Sequence, residues 1–278
     1  MGLIFAAIAP HGGECLPEFA VHAPERAART RAAMARMGER LAELEPDVVV
    51  VATPHGLAVP GAMALPIAAE ARGHLEGGGQ RVEAGFAIDG PLAWTLAAHG
   101  ARAGVPVAPS FFPQGFTAPL DWGALIPLYY MGRSYRPRPE VVLVTPSPDL
   151  PLSLHVKFGE ALAEVAEASG RRVAFIASAD QGHCHHPDGP YGYDEKSAEY
   201  DRLFCEAVEA QDLGRLLNVD GELVERGKPD SLWQALILHG ALQRRPMQGR
   251  LLSYEVPTYF GMACAMYEPQ DGSPATSR

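Results

Sequence analysis

The chain has 278 residues, 47% of them hydrophobic and 20% charged, with a net charge of −10. That size and balance allow a soluble globular protein to fold without covalent staples. The acidity argues against a nucleic-acid partner, whose phosphates need a basic face, and no run reaches the roughly 18 apolar residues of a membrane span.

Gly2 to Ala9 is a short apolar run closed by Pro10-His11-Gly12-Gly13, the form of a buried strand ending in a turn. It has no basic segment before it and no small-residue cleavage site after it, so it reads as a first strand and not as a signal peptide. His22 to Leu44 reads as an amphipathic helix, with Ala28, Met34, Met37 and Leu41 near helical spacing. Asp47 to Ala52 is β-branched and apolar, the composition of a parallel strand covered on both sides, and stops at Thr53-Pro54-His55-Gly56. A helix is expected over Ile88–Ala103 and a short strand near Val105–Ala108. Val141 to Val144 repeats the apolar run and closes at Thr145-Pro146-Ser147-Pro148. Ser153 to Ser169 is a predicted helix with Ser153 as its N-cap.

Arg172 to Ser178 is another buried strand; Glu199–Ala210 and Ser231–Leu242 are predicted helices; Leu251–Tyr267 is the last strand region. The alternation points to the α/β class. We expect a single domain over residues 1–269, with a central largely parallel or mixed sheet flanked by helices on both faces, and a flexible tail over 270–278. Cys15, Cys184, Cys205 and Cys264 form no CxxC pair, which fits a reducing, cytoplasmic setting.

Three strands end in a histidine-bearing loop: His11 after the first, His55 after the second, and His183 after Arg172–Ser178. Ligand crevices in open α/β sheets lie beyond the carboxyl ends of the strands. If these strands are neighbours, the three imidazoles converge. Pro10-His11-Gly12 and Pro54-His55-Gly56 share a pattern in which Pro fixes the loop entry and Gly allows a sharp turn. Two imidazoles and a carboxylate with open positions suit non-haem Fe(II); Zn would accept the same set.

In that order, "AIAPHGGE", "VVVVATPHG", "IASADQGHCHHPDGPYGYDEKSAEYD" and "LLSYEVPTYFGMACAMY" are spread along most of the chain, from Ala7 to Tyr267. Together they resemble the class III extradiol ring-cleavage dioxygenases of the protocatechuate 4,5-dioxygenase catalytic-subunit type, whose fold is shared by the Memo-like proteins. The resemblance implies His11 and His55 as metal ligands and His183 as the acid/base beside the metal. His185 and His186 are then loop residues, and Cys184 is not a nucleophile. The family's third ligand is a carboxylate ahead of the helix ending in Gly240-Ala241-Leu242; Asp230, at the helix N-cap, is first choice, with Glu225 and Glu255 as alternatives. The metal implied is Fe(II), with Zn or Mn as alternatives. The partners implied are a small aromatic substrate (a catechol or aminophenol) and dioxygen, and self-association into a homo-oligomer is compatible with the sequence.

Two further expectations follow. The family's Asp-His-Gly-type loop before a Pro-Leu is assigned to "FFPQGFTAPLDWG", with Gln114 where its histidine is expected; glutamine cannot exchange a proton near neutral pH. Tyr191, Tyr193, Phe111, Phe112 and Phe116 are candidate walls for a planar substrate. The alternative to ring cleavage is a Memo-like binding protein that uses the crevice differently. A zinc hydrolase would fit the ligands but lacks an HExxH signature.

Overall fold

The apolar runs β1 (Gly2–Ala9), β2 (Val48–Ala52), β8 (Glu140–Val144) and β9 (Arg172–Ser178) lie side by side, all parallel, in a computed structural model that describes residues 1–270. The hairpin of β10 (Gln248–Glu255) and β11 (Met262–Glu268) adds to them antiparallel, giving the order β10-β11-β1-β9-β2-β8. The predicted last strand region is therefore two strands, folded back on each other between Glu255 and Met262.

Side chains alternate between two apolar layers, as the period of two requires. Leu3, Ala6, Ile8, Val48, Val50, Val173 and Phe175 face a layer shared with α2 (Gly90–Arg102), α4 (Leu152–Ser169), α5 (Lys196–Glu209) and α7 (Leu232–Arg244). Phe5, Ala7, Val49, Val51, Ala174 and Ile176 face a layer shared with α1 (Ala28–Glu43) and α3 (Trp122–Tyr130). Helices thus cover both faces of a mixed sheet in one α/β domain. α4 and α7 touch backbone to backbone: a Cβ on Gly240 would collide with the Val156 carbonyl, and one on Gly159 with that of Ile237.

Several boundaries differ from the sequence reading. α1 begins at Ala28, not His22, because Pro24 and the left-handed Ala27 (φ 56°) hold the preceding residues in turns. α4 begins at Leu152 with Pro151 at the N-cap position, so Ser153 lies inside the first turn and caps nothing. The strand expected near Val105–Ala108 is β6 (Val107–Phe111), paired with β3 (Met63–Ile67). β4 (Glu70–Gly77) and β5 (Gln80–Ala87) form a hairpin with the two-residue β7 (Ala118–Pro119) beside β4. The hairpin turns at Gly78 and Gly79, both at positive φ (57° and 73°), a conformation that glycine adopts without strain. Residues 271–278 of the expected tail lie outside the described residues; Gln270 donates a hydrogen bond from its amide to Gln248 (3.1 Å). Among the described residues no helix is long and apolar enough to cross a membrane.

Candidate metal centre

β9 lies between β1 and β2, so the loops after all three strands open on one rim of the sheet. His11 follows β1, His55 follows β2 and His183 follows β9. His11 Nε2 stands 3.0 Å from His55 Nε2 and 3.2 Å from Asp230 Oδ2; His55 Nε2 is 3.5 Å from the same oxygen. His183 Nε2 is 3.9 Å from it.

Asp230 is not the cap of α7: Ser231 holds that position, with no side-chain cap bond, and Asp230 turns the other way. Its Oδ1 accepts the Asp180 backbone N–H (2.9 Å), leaving Oδ2 to face the imidazoles. The alternatives lie elsewhere. Glu225 is exposed on the short helix α6 (Gly221–Gly227). Glu255 accepts hydrogen bonds from the Thr30 backbone N–H (2.8 Å) and hydroxyl (2.7 Å) at the start of α1.

Asp180 is the residue the sequence reading missed. Its Oδ1 accepts the His11 backbone N–H (3.1 Å) and its Oδ2 lies 3.3 Å from His11 Nε2. It follows a strand in a segment rich in small and polar residues, where a carboxylate looks like turn chemistry. Its place three residues before His183 was the available signal. Asp180, His183 and Asp230 form a second potential metal-holding trio, sharing Asp230 with His11 and His55.

The tautomer of His11 follows from its neighbours. The Ser178 hydroxyl donates its single hydrogen to the Gly123 carbonyl. It can therefore only accept from His11 Nδ1, 2.9 Å away, so Nδ1 carries a proton and Nε2 faces the carboxylates. Burial alone would depress the His11 pKa, but Asp180 and Asp230 outweigh it and raise it to about 9. Burial, opposed by His11 and reinforced by Asp230, raises Asp180 to about 7. Burial also pushes Asp230 upward, yet His11 and His55 hold it below the usual carboxylate range. Converging donors of this kind require a proton or a cation among them. The donor set fits a divalent metal: two imidazole nitrogens and a carboxylate oxygen, spaced as neighbouring ligands of one ion with bonds of roughly 2.1 Å would be.

His183 sits beside this group. Burial, partly opposed by Asp230, lowers its pKa, so the ring is neutral near pH 7. It stacks on Phe260 (5.2 Å between centroids, 17°). Its loop is pinned from behind. Its backbone N–H donates to Gly227 (2.8 Å), and the Gly182 N–H donates to the buried Asp201 (2.7 Å). Asp201 also binds His185 (2.8 Å) and the Tyr254 hydroxyl (2.7 Å), so His185 serves the loop; His186 is exposed. Cys184 is buried, its thiol against the Arg226 carbonyl (3.2 Å).

The glycines of the two Pro-His-Gly loops do a different job from the one expected. Gly12 has ordinary extended geometry (φ −66°), and Gly56 is not among the residues at positive φ. Both are needed for lack of space: a Cβ on Gly12 would strike Met262 and Phe260, and one on Gly56 would strike the Thr145 hydroxyl.

A cavity of about 680 Å³ opens over the imidazoles, with Trp122, Ile126, Tyr191, Tyr259 and Phe260 among its walls. That volume suits a small organic ligand. Of the proposed aromatic walls only Tyr191 lines it; Phe111, Phe116 and Tyr193 are exposed elsewhere, and Phe112 packs against the α1/α3 layer. Gln114 is exposed and also absent from the lining. The Asp-x-Gly sequence at the crevice is Asp121-Trp122-Gly123, running into Pro127-Leu128, so Trp122 stands where a histidine was expected. It stacks on His55 (4.2 Å, 24°). Indole can donate a hydrogen bond but cannot exchange a proton near neutral pH.

The model of one family, described as the catalytic LigB subunit of aromatic ring-opening dioxygenase, matches residues 6–265. Protein CA_C1420 of Clostridium acetobutylicum is 23% identical over 251 residues, which cover 88% of this chain and 53% of that protein. The chain thus spans about half the length of the curated relative it matches. The crystal structure of the uncharacterised protein JW3007 from Escherichia coli K12 shares the fold. Its TM-score is 0.59 at 14% identity, over 95% of this chain and 99% of that one.

Proposed function

The chain belongs to the family of catalytic LigB subunits of aromatic ring-opening dioxygenases, and on that premise we propose that its crevice opens the ring of a catechol or aminophenol with dioxygen. The observation that carries this reading is the meeting of His11, His55 and Asp230 within 3.0–3.5 Å, with both imidazoles lining an aromatic-walled cavity.

His11, His55 and Asp230 would hold a divalent metal, Fe(II) in this reading with Zn or Mn as alternatives. The bound metal would supply Lewis-acid and redox chemistry towards the substrate and dioxygen. The chain's own contributions are distinct. Ser178 and Asp180 fix the His11 ring and backbone, so that its Nε2 points to the centre. Tyr191, Tyr259 and Phe260 exclude water from one side and offer faces to a planar ring. His183, neutral and adjacent to the donors, takes the proton of a substrate hydroxyl at an imidazole nitrogen and returns it when the ring-opened product forms. Such assistance is worth roughly 10²–10⁴ in rate. The test is anaerobic reconstitution with Fe(II), followed by a spectrophotometric screen of catechols and aminophenols in air. Yellow ring-opened products that His55→Ala cannot make support the reading; iron binding without oxygen uptake on any of them refutes it.

Trp122 favours a second reading. With indole in place of an acid/base imidazole, the crevice has one proton-exchanging histidine beside its metal donors instead of two. A Memo-like binding protein, which uses the pocket without oxygen chemistry, would tolerate that change. Retention of a metal with no turnover across the same screen favours this reading.

A further inference from the structure

We propose that Trp122 is a positioning residue for His55: by stacking on the imidazole it aims Nε2 at the centre, replacing the hydrogen bond that usually orients a metal-binding histidine. This rests on the metal reading above.

Metal-binding histidines ordinarily donate their second ring nitrogen to a carboxylate, carbonyl or water, which fixes the ring. His11 does so through Ser178. His55 does not: its ring neighbours His11 and Asp230 both lie at Nε2, and no hydrogen bond among the described residues reaches its Nδ1. What holds the His55 ring is sandwiching. Trp122 lies nearly parallel to it at 4.2 Å, and His11 meets it edge-on at 4.8 Å and 83°.

The stack is built into the backbone. Trp122 is the first residue of α3, and Asp121 caps that helix by accepting the Ala124 N–H (3.2 Å). The same Asp121 oxygen accepts the Thr53 hydroxyl (2.6 Å), and Thr53 Oγ1 accepts the His55 backbone N–H (3.3 Å). One cap thus ties the loop carrying His55 to the helix carrying Trp122. A Cβ on Gly123 would approach Thr53 Oγ1 to 2.5 Å and His55 Cδ2 to 3.3 Å, so the helix start presses directly on the histidine loop. Trp122 is 45% exposed, so its place is not explained by core packing.

The experiment is a Co(II) titration of the full chain, followed by visible absorption and by tryptophan emission. Wild type should bind Co(II) with quenching of emission. Trp122→Ala should stay folded yet bind Co(II) roughly tenfold more weakly, the lower end of what losing an orienting partner costs, with an altered visible band. Trp122→Phe should restore affinity and band while losing the metal-dependent quenching, since Trp94 and Trp233 would remain as emitters. If Trp122→Ala binds as wild type does with the same band, or if Trp122→Phe is no better than Trp122→Ala, the positioning role is wrong and the centre stands. If wild type takes up no Co(II), the metal centre itself is wrong and the positioning role goes with it.

Discussion

His11 Nδ1 and the Ser178 hydroxyl are 2.9 Å apart, and the direction of that hydrogen bond is settled by a third group, the Gly123 carbonyl that takes the serine's proton. Removing the oxygen frees the His11 ring to rotate and to carry its proton on either nitrogen. Ser178→Ala should therefore keep its fold and bind metal about 10–100-fold more weakly, the usual cost of losing such a partner. Competition with a chromophoric chelator measures it; unchanged affinity would mean that Asp180 alone orients His11.

His183 contacts the donor group without completing it, so metal binding and turnover should separate. In His183→Ala, metal content should match wild type while the ring-opening rate falls by roughly 10²–10⁴. Loss of metal along with rate would instead make His183 a ligand, through the trio it forms with Asp180 and Asp230.

The contact between α4 and α7 leaves no room for a methyl group at Gly240. Gly240→Ala must push the helices apart, at about 1–3 kcal/mol by the measure of overpacked cores. Asp230 lies just before α7, so the variant should lose metal affinity as well as stability. Urea unfolding and metal titration on the same sample check both. A destabilised variant with wild-type affinity would show that Asp230 is anchored by Asp180 independently of the helix.

His155, fully buried in α4, predicts a pH dependence of stability away from the crevice. Burial lowers its pKa from 6.5 to about 4 despite a hydrogen bond to the Pro151 carbonyl. The folded state therefore resists a proton that the unfolded chain accepts below 6.5. Stability from this residue is intact above pH 6.5, falls between 6.5 and 4, and is lost by up to roughly 3 kcal/mol below that. Urea midpoints taken across that window should drop less steeply in His155→Leu than in wild type; parallel curves would remove His155 as the cause.

The parts legible from sequence are those where one physical demand dominates. β1, β2, β8 and β9 are buried on both faces, so their residues had to be apolar without interruption, and the histidines closing three of them stood out. β4 and β5 alternate with charged residues such as Arg72, Glu76, Arg81 and Glu83 on a half-exposed ribbon, and carry no such run. Asp180 resembled turn chemistry because nothing local reveals that its carboxylate folds back onto the His11 amide, 169 positions earlier. The Asp-x-Gly loop was assigned to Gln114 because it and Trp122 stand close together in the chain, and only the packing of the start of α3 against His55 shows which of them reaches the crevice.

The order β1-β9-β2 has a consequence for fragments of this protein. The contacts that assemble the donor atoms join positions 44, 50 and 169 residues apart, and β9, later in the chain than β1 and β2, lies between them. Chemistry and architecture are therefore inseparable: a fragment lacking β1, β2, β9 or the approach to α7 also lacks the loop that carries His11, His55, His183 or Asp230, and cannot complete the centre.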